Sequence, residues 1–548
     1  MSDVLKSPAD FGSPSFDTGA WSFKSYLPAA LPFFGALLML LLRIQLGGAH
    51  FINDGALMML ALACYLTAAT FHLLNLYAPS SLAQRAGLWL GSLGVFFNFS
   101  SWLVRWVASR DREIDIFIRQ GKSLAELPWF FRYIPFANLY DLSLAFAFGA
   151  GITTMLIAGR KSYRFLGAVS LPLAALILVL ARFIGDEFIN LPPVLDSYWR
   201  PIHVGIASLS YGVALVCFAA AVIYLLKDGV KPESMAIWAC GFGLFVIGTI
   251  GGNLGSFLVF TTGRYAASTF MRGSRFAFPL RANIPFVGPL LILTSLLLLG
   301  VIYCFARYVF RHSETGRVWG HRLLLGSLGA LLIAITALVV QVKSDSPLAP
   351  CPAAAHYTTK CIETSQYRDF GAWLAKEQKL SSEQIKALPP AQLTAAADEF
   401  VQQNGSSLVL SLNANPVELA SLITVVAALF FVALFSFRTE QLRLALPSAE
   451  KLDSLMYKTA SVAFAGLAML LITGAIWANE SWGRYWGWDS KETGAFVAWL
   501  TYGGFLHARI SHGLRGRRAA YFAVVAFLLV IFTYLGVSYL LPGLHSYA

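Results

Sequence analysis

The sequence predicts an all-α, polytopic integral membrane protein of about 13 crossing helices, with a small helical extramembrane domain. Three observations predict it. Hydrophobic residues make up 57% of the 548 and charged residues 13%, against about 25% charged in a soluble domain. Long uncharged runs recur; 519–541, for example, has no Asp, Glu, Lys or Arg, and about 20 such residues reach across the hydrocarbon core. Backbone polar groups in lipid must be satisfied within the segment, which makes each run a helix.

The expected spans lie at 27–43, 55–77, 87–107, 139–158, 165–184, 203–226, 236–260, 285–306, 323–342, 416–437, 456–477, 493–508 and 519–541. Residues 1–26 are polar and mixed, so no cleavable signal peptide is expected and the first span directs insertion. Lys and Arg in short loops set orientation. Arg509, Arg515, Arg517 and Arg518 follow the twelfth span, and the tail 542–548 carries no such base. The N-terminus is therefore read as inside and the C-terminus outside. The expected inner loops agree: Arg160, Lys161 and Arg164; Lys227 and Lys231; Arg307, Arg311, Arg317 and Arg322. Two outer loops do not, with Arg110, Arg112, Arg119, Lys122 and Arg132 in one and Arg264, Arg272, Arg275 and Arg281 in the other. Either the count of spans slips there, or those bases have an outer anionic partner. A net charge of +12 on this background reflects topology, and no nucleic-acid partner is expected.

Residues 343–415 are polar and read as a small helical domain on the outer side. Ser381 and Gln384 have capping-box spacing, and Pro389-Pro390 interrupts the helical pattern. Cys351 and Cys361 fall here. In an oxidising outer compartment a disulfide is the default reading, with a redox-active thiol pair as the sharper alternative. Cys64, Cys217, Cys240 and Cys304 lie in apolar runs and read as small hydrophobes.

The stretch 475–492, AIWANESWGRYWGWDSKE, concentrates chemistry. Interfacial belts favour Trp and Tyr, but Trp477, Trp482, Trp486, Trp488 and Tyr485 stand here among Arg484, Asp489, Lys491 and Glu492. Flat indoles offer a stacking surface for a large planar ligand, and Arg484 and Lys491 can pair with its carboxylates. His203 and His545 fall at the same outer level, where two imidazoles can clamp a haem iron. His507 and His72 lie towards the inner ends of their spans. Ionisable groups inside a membrane mark functional sites, so His507, with His72 as partner, is read as a second, inner haem site.

These residues resemble a known family. WGRYWGWDSKETGAFVAWLTYGGFLHAR resembles the tryptophan-rich WWD signature of haem-handling proteins, in particular the CcsA (ResC) cytochrome c biogenesis proteins. LPSAEKLDSLMYKTASVAFAGLAMLLITGAIWANE, LPPVLDSYWRPIHVGIASLSYG, the terminal GLHSY and PFANLYDLSLAF are similar to the same family, with Asp141 where Glu is common. The likeness covers roughly 135–227 and 447–548. The related CcmF proteins continue the Trp-rich loop with a D-P-x-E-N pattern, unlike Asp489-Ser490-Lys491-Glu492-Thr493 here. The resemblance implies haem b exported to the outer face and held over Trp482, Trp486 and Trp488 with Arg484 and Asp489. His203 and His545 would be iron ligands, and His507 part of an inner site. It implies attachment of haem to a C-x-x-C-H apocytochrome c as part of a holocytochrome c synthase, with a CcsB (ResB)-like partner and thiol-reducing proteins.

Four regions follow: N-terminal helices at 1–134, the first half of the haem-handling module at 135–227, an insertion at 228–446, and the second half at 447–548. The expected location is the bacterial cytoplasmic membrane. The alternatives are a b-type electron-transfer subunit, which would pair histidines deep within adjacent helices, and a transporter of another substrate, which would show broken helices or inverted repeats.

Overall fold

The structure is a computed structural model. It describes residues 23–185, 188, 193–250, 257–273, 276–344, 349–350, 360–362, 366–377, 380–404, 409–411 and 416–537.

The helices are α1 (Phe23–Leu46), α2 (Asp54–Tyr77), α3 (Ser81–Arg119), α4 (Leu139–Ala158), α5 (Gly167–Ile184), α6 (Trp199–Lys227), α7 (Pro232–Thr249), α8 (Leu258–Thr262), α9 (Val287–Arg311), α10 (Glu314–Lys343), α11 (Tyr367–Glu377), α12 (Ser382–Ala387), α13 (Pro390–Asn404), α14 (Pro416–Ser436), α15 (Thr439–Ala445), α16 (Ala449–Trp482), α17 (Ser490–His512) and α18 (Arg517–Ile531). The chain is thus a nearly all-α, multi-pass membrane protein. Among the described residues, 12 helical segments are long and apolar enough to cross a membrane. The remaining expected span, 493–508, is α17, which has the length but carries too many polar residues. The span expected at 236–260 is shorter than that, because α7 stops at Thr249.

The chain divides into two compact units. The first comprises residues up to Leu178, Phe188–Asp228 and everything from Gln441. Side-chain caps start its helices: Asn53 Oδ1 accepts from Ala56 N at 2.7 Å and Asn138 Oδ1 from Asp141 N at 2.9 Å, satisfying amides the first turn leaves open. Helices α4 and α6 meet backbone to backbone, since a Cβ on Gly212 would lie 2.3 Å from the Gly149 carbonyl carbon. Helix α16 has 34 residues. At 1.5 Å per residue it runs about 50 Å, against about 30 Å of hydrocarbon, so it projects beyond the apolar layer.

A buried charge cluster ties α2, α3 and α4 together. Arg105, 1% exposed, pairs with Asp141 and lies 3.3 Å from Asp54 Oδ2. Tyr140 Oη donates to Asp54 Oδ2 at 3.1 Å, and Ala137 N donates to Asp141 Oδ2 at 2.9 Å. The guanidinium also sits 4.3 Å from the Phe188 ring centre. Bases of the anomalous first outer segment fall on a helix and in one ion pair. Arg110, Arg112 and Arg119 belong to the long α3, and Arg132 pairs with Asp196.

The second unit is Val179–Glu187 with Gly229–Glu440. Its membrane helices α7, α9, α10 and α14 share an aliphatic core that includes Leu291, Leu298, Leu331 and Val425. The segment expected to be helical at 343–415 does contain α11, α12 and α13, with the predicted Ser381–Gln384 capping box. It also contributes strands, which the helical reading omitted: β3 (Ala349–Pro350), β4 (Cys361–Ile362) and β5 (Val409–Ser411). They join β1 (Ala266–Gly273) and β2 (Phe276–Asn283) in a five-stranded sheet of order β3-β4-β2-β1-β5. The second anomalous basic loop is therefore largely this hairpin. Cys361 is disulfide-bonded and Cys351 lies outside the described residues, while Cys64, Cys217, Cys240 and Cys304 are free.

Removing one partner of a buried pair strands the other charge. Asp141→Ala is expected to cost about 3–5 kcal/mol and to lower the thermal midpoint of the detergent-purified protein. A midpoint like that of the parent protein would show the cluster to be dispensable.

Candidate functional site

A cleft opens in the first unit at the end of the bundle where α6 and α17 begin and α16 ends. Its lining includes Phe136 and Asn138 before α4, His203, Ala207 and Tyr211 on α6, and Gly474 and Trp477 on α16. Trp482, Tyr485, Trp486, Lys491 and Glu492 form the loop side. Thr533 and Tyr534 come from a π-helical turn, Phe532–Gly536, that continues α18. Its enclosed volume is about 140 Å³.

His203 sits on the first turns of α6, and its Nδ1 lies 3.0 Å from Leu470 O. A carbonyl only accepts, so Nδ1 carries a proton, and in the neutral ring Nε2 then holds the lone pair. Metal-binding imidazoles are held in this way by their other nitrogen. Gly474 makes the position possible, because a Cβ there would come within 2.7 Å of the His203 ring. Trp477 stands 5.7 Å away, centre to centre. It is 5% exposed, and its Nε1 has no hydrogen-bond partner.

The loop after α16 is built by its own backbone. Gly483, at φ +69°, ends α16. Glu492 Oε2 accepts from Gly487 N at 2.8 Å and Asp489 N at 3.1 Å, while Asp489 Oδ1 accepts from Lys491 N at 3.0 Å. Asp489 and Glu492 thus form a capping box on α17. Trp486 meets Trp488 edge-on at 5.7 Å. Burial pushes the Lys491 ammonium down to about 8, against the pull of the Asp489 carboxylate. A cation held this way gains from an anionic neighbour.

The expected residues separate into groups. His203, Trp482, Trp486 and Lys491 converge on the cleft. Asp489 shapes the loop as a helix cap. Arg484 lies over Gly487, where a Cβ would be 2.8 Å from the guanidinium, and neither residue lines the cleft. Trp488 is 70% exposed at the rim and holds φ +55°. His545 falls outside the described residues.

His72 and His507 stand in different surroundings. His72 is enclosed in the first unit, with Gly87 and Gly167 against its ring. His507 is exposed, with Nδ1 3.4 Å from Ser511 Oγ and its ring 5.8 Å from that of His512. The reason is helix packing: α2 lies against α3, and α17 against α16 and α18. Sequence reasoning missed Gly474, Trp477 as a buried donor, and Arg105. A glycine among large apolar residues four positions from Leu470 was the available signal for the first.

Bulky residues at positive φ are strained by about 1–2 kcal/mol. Trp488→Gly is expected to leave the thermal midpoint unchanged or raised while removing an exposed ring from the cleft rim. A lowered midpoint would mean that the Trp488 side chain supports the loop.

Comparison with known proteins bears on the same residues. Residues 136–240 and 406–545 match the family described as Cytochrome C assembly protein. The cytochrome c biogenesis protein CcsA of Prochlorococcus marinus (strain MIT 9515) is 56% identical over 98 residues, which is 18% of this chain and 31% of that protein. The CcsA of Parasynechococcus marenigrum (strain WH8102) is 50% identical over 102 residues, 19% of this chain and 33% of its own. That of Synechococcus sp. (strain CC9605) is also 50% identical over 102 residues, covering 34% of its length. The chain spans about a third of the length of the curated relatives it matches. The similarity to the cytochrome c assembly family thus extends over residues 136–240 and 406–545 of a larger chain, and the similarity to CcsA over about 100 residues of it.

Proposed function

We propose that the protein serves cytochrome c maturation by holding haem b in the His203 cleft for attachment to an apocytochrome c. The carrying observation is the His203 imidazole, held by Leu470 O in the Nε2 lone-pair tautomer at a cleft walled by Trp477, Trp482 and Trp486.

The residues present suit haem on three counts. His203 supplies an iron donor, with His545 as the second. Indole faces suit a flat macrocycle. Arg200 and Lys491 put cationic side chains at the lining, and the buried Trp477 Nε1–H, which has no hydrogen-bond partner, favours a ligand that provides an acceptor. Haem brings the reactive groups: each of its two vinyls takes up one S–H of a C-x-x-C-H apocytochrome, forming a thioether. The chain's own part is to orient the ring by His203, hold its carboxylates with Lys491 and Arg200, and keep water from the buried side.

In this reading the cleft faces the outer side of a bacterial cytoplasmic membrane, with the N-terminus inside. Arg484, Trp488 and Asp489 support the bound ring from the rim and the loop. His507 belongs to an inner site, served from its exposed position on α17, and His72 is a separate buried imidazole. Residues 228–446 are an insertion in the haem-handling module. A CcsB-like membrane protein and thiol-reducing proteins complete the synthase.

The test is the visible spectrum of detergent-purified protein. The parent is expected to show a Soret band with sharp reduced α and β bands, diminished in His203→Ala/His545→Ala. A colourless parent, even with added haem and a CcsB partner, would sink the reading. Gly474→Ala, which drives a methyl against the His203 ring, is expected to weaken the band while leaving the thermal midpoint near the parent's.

The depressed Lys491 pKa sets a pH dependence. Below about 8 the ammonium is charged before haem arrives. Above that value, pairing with a carboxylate must draw in a proton. Affinity is expected to be flat on the acid side of about 8 and to fall by up to about tenfold per pH unit beyond it. Lys491→Met should flatten the profile, and an unchanged slope in that variant would remove Lys491 from the site.

A further inference from the structure

A second cavity lies directly behind the His203 cleft. It has a volume of about 480 Å³, and its lining includes Phe99, Trp102, Trp129, Phe148, Tyr198 and Leu209. Phe136 lines both cavities. Helix α6 divides its faces between them. Arg200, His203, Val204, Ala207 and Tyr211 turn to the cleft, while Pro201, Ile202, Gly205, Ser208 and Leu209 turn to the second cavity. These are neighbouring stripes at helical spacing.

The second cavity opens sideways through apolar side chains. Trp129 is 62% exposed, Tyr198 66% and Leu209 48%. In a membrane protein such faces meet lipid. Inside, rings follow one another towards the cleft: Phe148 stacks on Phe99 at 4.3 Å, Phe99 lies parallel to Trp102 at 6.2 Å, and Trp102 meets Phe136 at 5.3 Å.

The cleft's 140 Å³ is small, since pockets that enclose a drug-sized ligand run to about 300–1,000 Å³. Phe136 is what separates it from a larger aromatic space. The side chain is 9% exposed, and a Cβ on Gly205 would stand in van der Waals contact with it at 3.7 Å, so at this point α6 meets the ring with a glycine and no side chain.

We propose that the aromatic cavity is a second binding site for the same flat, mostly apolar macrocycle. It receives the ring sideways from the membrane and passes it to His203 when Phe136 turns aside. This rests on the proposed haem-holding role, and names the route by which that site is filled.

The test uses the full chain in liposomes to which haemin has been added in the lipid, following the rise of the Soret band. Gly205→Leu places a side chain in the aromatic cavity against Phe136, on the stripe of α6 that does not carry His203. It is expected to slow loading severalfold while reaching the parent's final spectrum. Phe136→Ala is expected to load faster than the parent, with Phe136→Leu as the milder change if the alanine variant folds poorly. Loading of Gly205→Leu at the parent's rate would overturn the route, as would be the case if the cavity holds only lipid. A parent that binds no haemin would overturn the haem-holding role itself, a separate result read before any variant is compared.

Discussion

The Arg105 cluster is the constraint on which the first unit depends. Arg105 is on α3, Asp54 opens α2 and Asp141 opens α4. Inside a low-dielectric bundle none of these charges is tolerable alone, so the three helices are held at one relative height. The same carboxylate that neutralises Arg105 accepts the Ala137 amide, and Asn138 caps the helix between them. Phe136 and Asn138, which wall the cleft, are therefore anchored by an ion pair three to five residues away in sequence.

The other walls are set by different means. Helix α16 is long enough to carry Trp477 and Trp482 past the apolar layer. The capping box of Asp489 and Glu492 then turns the chain tightly into α17, which brings Trp486 and Lys491 back over the cleft. Two kinds of physics meet here: a helix cap satisfies open amides, and aromatic rings supply broad apolar faces. Asp489 shows how they separate. It belongs to the Trp-rich motif, yet its carboxylate is occupied in building the loop, so its effect on any ligand passes through the loop's shape.

The second unit is built on another plan. Its membrane helices share an aliphatic core, and its polar part closes a mixed five-stranded sheet with helices beside it. The strands escaped a reading by periodicity because they are two to eight residues long, and the hairpin that carries the longest of them lies outside the polar segment in sequence. Register across such a sheet is a long-range property, settled by partners up to about 140 residues apart, such as Phe270 and Ser411.

Membrane crossing was decided by the sequence alone, because length and apolarity in one segment are local quantities that lipid reads directly. The same holds for the Trp-rich stretch and the Ser381–Gln384 capping box, each carried by a short motif. Tertiary structure alone decided which motif residues face the cleft. Lys491 does and Arg484 does not, since the turn set by Glu492 points them differently. It also decided that His72 is enclosed and His507 exposed, because helix neighbours follow from packing and not from depth in the membrane. Gly474 makes the same point: its value lies in the missing Cβ beside His203, and that pairing across 271 positions in sequence exists only once α6 and α16 have packed.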